Sequence, residues 1–299
     1  MGLSPRDEVT VGMAGGLTLR ALLAAALLAA SRAWTGCTAE EDCLALPATP
    51  RCVPAAAGSG VACTLDYAFN ETGFCACGAQ QCTALTAPPA HPERKQLLVV
   101  GDSISLGYLA SLTSNLSTWE VVHAPSFGAG GDNNDNAAWG ARCIQGWLGP
   151  NASRWDAITF NHGAHDYAFP DNEHLSVDSF SLFISSIVGK LVALARPDAV
   201  LVWNAITPGP TTPPPQCVLL PGRLESDVLA YNAAAARAVA VVGAGRVASC
   251  DLHKVIDDVC GVGYASCAIA QCAGPHFSAA GFALLGNAVA GCIAAAQGV

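Results

Sequence analysis

Charge is scarce in this sequence. Asp, Glu, Lys and Arg make up 12% of its 299 residues, and 14 basic side chains face 23 acidic ones for a net charge of −9. No basic run is long enough to follow a phosphate backbone, so nucleic acid is not expected as a partner. Walker-type glycine loops, G-x-G-x-x-G turns, H-E-x-x-H pairs and paired C-x2-C spacings are all missing. No metal and no organic cofactor is therefore expected. The low charge does not signal disorder, because hydrophobic residues make up 52% of the chain, much of it alanine.

What is present points to export. Arg20 precedes an apolar run from Ala21 to Ala30, and Ser31-Arg32-Ala33 places small residues at the −3 and −1 positions of a cleavage site. The run is shorter than the roughly 20 residues a membrane span needs, so residues 1–33 are read as a signal peptide, with a retained signal-anchor as the alternative. No further span is expected once the signal is removed. All 14 cysteines follow this segment, and an even count in an oxidising compartment predicts disulfides. Asn70, Asn115 and Asn151 open N-x-S/T sequons, as an exported glycoprotein would carry.

The cysteines divide the chain. Cys37, Cys43, Cys52, Cys63, Cys75, Cys77 and Cys82 crowd residues 34–82 among Pro, Gly, Ala and Thr. So short a stretch cannot bury enough apolar area without staples, and it reads as a small disulfide module loosely similar to EGF-like modules. Residues 83–94 form a Pro-rich linker. From residue 95 to 299, short apolar runs alternate with helical periods. The runs are Leu97–Val100, Val121-Val122, Ala157–Phe160, Ala199–Trp203 and Val247–Cys250. Residues 176–195 space Phe180, Phe183, Ile184, Ile187, Leu191 and Leu194 for one helix face, and 226–242 and 279–295 are alanine-rich helices. Pro197 and Gly243 stop the first two. This alternation predicts an α/β, doubly wound, mostly parallel sheet with its site at the carboxyl ends of the strands.

The residues with chemistry cluster around those ends. Gly101-Asp102-Ser103 follows the first run directly and precedes a helix over Leu106–Leu116. A serine there has helix N-terminal amides beside it to stabilise an oxyanion, or it merely caps the helix. A hydroxyl is a weak nucleophile without a base, and His276, just before the last helix, suits that part. The segment LLVVGDSISLGY, the stretch Phe160 to Asp166 and the stretch Pro275 to Phe282 together resemble the first, third and closing blocks of SGNH (GDSL) hydrolases. Trp147-Leu148-Gly149 and Leu220-Pro221-Gly222 with Tyr231-Asn232 are similar to a branch of that family. The resemblance covers residues 95–299. It implies a flavodoxin-like three-layer sandwich and a carboxylic-ester hydrolase with Ser103 as nucleophile and His276 as base. The oxyanion donors would be the Ser103 N–H, Gly131 in the glycine run Gly128–Gly131, and a side chain of the third block.

The sequence departs from that family in two places. His165 stands where the third block has asparagine, so His165 is expected to donate to the oxyanion, with Asn161, Asn133, Asn134 or Asn136 as alternative amides. Ala273 stands where an aspartate would orient His276. A backbone carbonyl, or a carboxylate such as Asp166, Asp251 or Asp258, would have to replace it, and Asp166 is the first choice. A disulfide among Cys260, Cys267 and Cys272 would brace the histidine loop. The run Asp132 to Asn136 starts like a calcium loop but has Ala137 and Cys143 where glycine and glutamate belong, so no metal site is expected. His162, His174 and His253 have no nameable partner. Trp139, Trp147 and Trp203 suggest either sugar stacking or core. The expected function is a secreted serine esterase acting on small acyl esters, with O-acetyl groups on glycans and short-chain lipid esters as candidate substrates. The alternatives are a weak or inactive glycan-binding relative and an O-acyltransferase.

Overall fold

The apolar runs become the central sheet. The computed structural model describes residues 52–54, 61–63, 85, 87–125, 133–167, 175–209, 224–261, 267–270 and 276–298. In chain order these form β1 (Cys52–Pro54), β2 (Val61–Cys63), β3 (Lys95–Val100), α1 (Ser103–Asn115), β4 (Trp119–His123), α2 (Ala137–Leu148), β5 (Ala157–Phe160), α3 (Val177–Leu194), β6 (Val200–Asn204), α4 (Glu225–Val242), β7 (Val247–Cys250), α5 (Leu252–Cys260) and α6 (Ala279–Ala296). The sheet order is β4-β3-β5-β6-β7, and every neighbouring pair is parallel. This is the doubly wound α/β fold expected, and its order reverses direction beside β3, where such folds open a ligand crevice.

Alternation along the strands divides the core into two layers. Leu98, Val100, Ile158, Phe160, Leu201 and Trp203 face α2, α3 and α4. Leu97, Val99, Ala157 and Val202 face the opposite layer of α1, α5 and α6. Successive strand residues point to opposite faces, so one apolar run serves both layers. Gly286 of α6 allows the close approach of α1, since a β-carbon there would lie 2.7 Å from Ser111 Cβ and 2.9 Å from Leu112 N. Length and composition alone would let α3 and α6 cross a membrane. Both instead bury a face against the sheet, through Phe180, Ile184 and Ile187 in α3 and Leu285, Val289 and Ile293 in α6.

Several boundaries differ from the sequence reading. The first helix begins at Ser103, three residues early, because the Asp102 carboxylate accepts the Ile104 N–H and caps it. The helices α2 and α5 were not anticipated. Leu194, at the end of α3, is 37% exposed rather than in the core. The stretch read as a linker lies along the domain: Ala90 N–H and His91 N–H donate to the Glu120 carboxylate, and Arg154 Nη1 donates to Ala87 O. Of the expected cysteine module, only the antiparallel pair β1–β2 is described. The signal peptide lies outside the described residues. Disulfides join Cys250 to Cys292 and Cys260 to Cys267.

Candidate active site

The site starts where β3 ends. Gly101 turns the chain so tightly that a β-carbon would collide with Asn161 Oδ1 and lie 2.9 Å from Ser105 Oγ. Asp102, 1% exposed, caps α1 and accepts from Asn161 Nδ2 at 3.0 Å. Asp102 therefore performs the capping role considered for Ser103. Ser103 is left as the first helical residue, and among the described residues its N–H has no acceptor. Asn134 pins the turn from the other side. Its Oδ1 accepts the Gly101 N–H at 2.8 Å, its own N–H donates to Gly101 O at 2.9 Å, and its Nδ2 donates to Ala124 O and Pro125 O.

The structure brings Ser103 and His276 together: His276 Nε2 lies 2.7 Å from Ser103 Oγ, across 173 positions of sequence. Backbone and covalent links hold the histidine segment. Phe277 forms a bridge with Ala270, and Ser278 N–H donates to Ile269 O at 2.7 Å. Ser278 then caps α6, and Cys267 anchors the paired segment to Cys260 at the end of α5. Cys272 and Ala273 lie outside the described residues.

The carboxylates considered as partners for His276 make the following bonds. Asp166 is fully buried at the start of α2, where both its oxygens accept the Ala137 N–H, at 2.9 and 3.1 Å. Asp251 is exposed and caps α5 by accepting the Lys254 N–H, and the exposed Asp258 pairs with Lys254 Nζ at 2.6 Å.

On the oxyanion side, Gly131 and the rest of the glycine run lie outside the described residues. His165 Nδ1 sits 3.3 Å from Asp135 Oδ1, and its Nε2 sits 3.5 Å from Asn133 Nδ2. An amide nitrogen only donates, so His165 Nε2 faces Asn133 Nδ2 as an acceptor. His165 and Asn133, both named as possible oxyanion donors, thus lie side by side. Asn133 is itself fixed by accepting the Asp135 N–H, an Asx turn beside Asp135 at φ 59°. Asn134 Nδ2 donates to Ala124 O and Pro125 O, Asn161 Nδ2 donates to Asp102, and Asn136 Oδ1 accepts the Trp139 N–H.

Two histidines set aside in the sequence find partners. His162 is fully buried, with Nδ1 3.2 Å from Asp135 O, and burial pushes its pKa below the usual value. His253 lies between Glu225 (2.7 Å) and Asp257 (3.2 Å), while the other Glu225 oxygen accepts the Gly209 N–H. The ligand-type atoms of Glu225, His253 and Asp257 are within 4.8 Å of one another. Their bonds to each other make the cluster a latch joining α4, α5 and the loop after β6. His174 lies outside the described residues. Trp147 and Trp203 are core, at 0% and 4% exposure, and Trp139 is half-buried with the Arg142 guanidinium over its ring. A small pocket opens between Asp102, Ile104, Asn161, Ile206 and Leu252.

No family model matches the chain, and no curated protein matches it in sequence. Solved structures do. A carbohydrate esterase family 2 enzyme with a carbohydrate-binding domain from Corynascus thermopiles (Myceliophthora fergusii) is 17% identical, over 72% of this chain and 69% of that one, at a TM-score of 0.48. A carbohydrate acetylesterase family member from Sinorhizobium meliloti is 14% identical over 69% and 100%, at 0.49. The C-terminal catalytic domain of peptidoglycan O-acetyltransferase A from Streptococcus pneumoniae is 13% identical over 69% and 96%, at 0.41.

Proposed function

We propose that this chain is a serine esterase of the SGNH type, hydrolysing small acyl esters through an acyl-enzyme. The observation that carries the reading is the 2.7 Å contact between Ser103 Oγ and His276 Nε2 at the carboxyl edge of the sheet. Ser103 sits on the first turn of α1 with its N–H open among the described residues, so one residue can supply both a nucleophile and an oxyanion donor. In the first step the Ser103 hydroxyl attacks the ester carbonyl and its proton passes to His276 Nε2. The alcohol leaves with that proton. Water then attacks the acyl-enzyme, gives a proton to His276, and releases the acid and a regenerated Ser103.

The motifs Gly101-Asp102-Ser103 and Pro275-His276-Phe277-Ser278 support the SGNH assignment. Disulfides and the exposure of the sequon residues Asn115 and Asn151 support a secreted protein. Burial of Trp147 and Trp203 removes them as sugar-stacking platforms, so O-acetylated glycans and short-chain lipid esters stand as equal substrate classes. The test is hydrolysis of p-nitrophenyl acetate and butyrate by the native protein, Ser103→Ala and His276→Ala. Turnover by the native protein and background rates for both variants are expected. Equal rates for all three, or no turnover on these or on acetylated glycans, would overturn the reading.

A further inference from the structure

A second Ser–His pair lies directly behind the first, and no step above uses it. Ser105 is fully buried two residues beyond Ser103, and its Oγ lies 2.6 Å from Asp102 O and 2.7 Å from His123 Nε2. The other ring nitrogen, His123 Nδ1, lies 2.9 Å from Ala124 O. A carbonyl oxygen only accepts. The Ser105 hydroxyl therefore gives its hydrogen to Asp102 O, and its Oγ is left to accept from His123 Nε2–H.

The end of this chain matters because of what Asp102 O belongs to. The Asp102 carbonyl and the Ser103 N–H are the two ends of one peptide group. Hydrogen bonds in series strengthen one another. Drawing electron density onto Asp102 O makes the Ser103 N–H a stronger donor. The same bonds fix the plane of that peptide, and thus the direction in which the N–H points. Gly101 is what admits Ser105 to this position, since a β-carbon there would lie 2.9 Å from Ser105 Oγ.

We propose that Ser105 and His123 form a relay that polarises and orients the Asp102–Ser103 peptide, making the Ser103 N–H a stronger oxyanion donor. Neither side chain touches substrate; both are positioning residues. The inference rests on the reading of Ser103 as an acyl-transfer nucleophile. Loss of an oxyanion donor costs on the order of 100- to 1,000-fold in kcat, and weakening one costs a part of that, about 10-fold.

The experiment compares native protein, Ser105→Ala, His123→Ala, the double variant and His123→Gln. It reads kcat and KM on p-nitrophenyl acetate, the Kd for phenylboronic acid, and Tm. Leu106 N–H also donates to Asp102 O, at 3.2 Å, so that carbonyl keeps a partner when Ser105 is shortened and the fold is retained. Each single variant is expected to lose about 10-fold in kcat with KM within about 2-fold, and to bind the boronate, which forms a tetrahedral oxyanion-like adduct, weaker by the same factor. The double variant should lose no more than the worse single one, as two links of one chain require. His123→Gln, which keeps a donor near the Nε2 position, should recover part of the loss. Variants that keep native kcat and boronate affinity, or that lose both only in step with a falling Tm, would overturn the relay while native turnover leaves the esterase reading intact. Absence of turnover and boronate binding in the native protein would overturn the esterase reading, and the relay with it.

Discussion

The two halves of the Ser–His pair are held in place by different means. Around Ser103 the fixing groups are polar, short and buried. Asp102, Ser105, Asn134 and Asn161 are each no more than 7% exposed, and they bond the turn after β3 to the loops after β4 and β5. Around His276 the fixing links include a backbone bridge from Phe277 to Ala270, a helix cap and the Cys260–Cys267 disulfide. Buried polar lattices tolerate little change, because each lost partner leaves an unsatisfied group in a low dielectric. A loop tied by backbone and disulfide can shift and still present its ring. The serine end should therefore be brittle and the histidine end graded.

The largest effect is expected from Gly101→Ala. The added methyl collides with Asn161 Oδ1 and crowds Ser105 Oγ, so the lattice must open. Overpacking of this kind costs about 1–3 kcal/mol, and the displaced nucleophile should lose at least about 100-fold in kcat/KM. Chemical denaturation with ester kinetics checks both, and near-native activity would show that the lattice is more pliant than described.

Breaking the histidine end should do less. Cys260→Ser with Cys267→Ser removes the staple that closes a short loop, worth about 2 kcal/mol by chain entropy. The His276 segment keeps its bridge to Ala270, so kcat should fall about 3- to 10-fold with KM unchanged. A loss as large as that of Gly101→Ala would erase the contrast between the two ends.

His162 gives the comparison a pH axis. Burial lowers its pKa in the folded protein below the usual value of about 6.5. Between the two values the unfolded chain binds a proton that the folded chain does not. Stability contributed by keeping this ring neutral is thus present above about pH 6.5 and is lost as pH falls, with a slope of up to about 1.4 kcal/mol per pH unit. His162→Gln should flatten that slope in denaturation series between pH 4.5 and 7. An unchanged slope would assign the acid sensitivity to other groups. The smallest effect is expected from Asp251→Asn and Asp258→Asn. Both side chains bond within α5, so kcat/KM should stay within about 2-fold of native, and a large drop would make one of them the partner of His276.

The sheet was legible because buried parallel strands need unbroken apolar runs: all five appear at Leu97–Val100, Val121-Val122, Ala157–Phe160, Ala199–Trp203 and Val247–Cys250. The helix over 176–195 was legible from its one-sided spacing of Phe180, Ile184, Ile187 and Leu191. By contrast, α2 carries Gly140 and Gly146 inside it and α5 spans only nine residues, so both lacked the long run of helix formers that marks a helix in sequence. Ser103 and His276 stood out through the motifs around them. Their supports did not. Asn134 lies 33 positions from Gly101, Asn161 lies 59 from Asp102, and His123 lies 18 from Ser105. Polar pairs made across strand ends have no sequence period, and only the topology that joins β3, β4 and β5 brings them together. His253 went unpartnered in the sequence for the same reason, since Glu225 is 28 residues away on another helix.

The most direct measurement is covalent labelling with phenylmethanesulfonyl fluoride, followed by intact-mass and peptide mass spectrometry of the native protein and of His276→Ala. A Ser103 hydroxyl activated by His276 predicts a single sulfonyl label, on Ser103, formed on the native protein and slowed by orders of magnitude in the variant. Labelling at another residue, or an equal rate at Ser103 without His276, would contradict it.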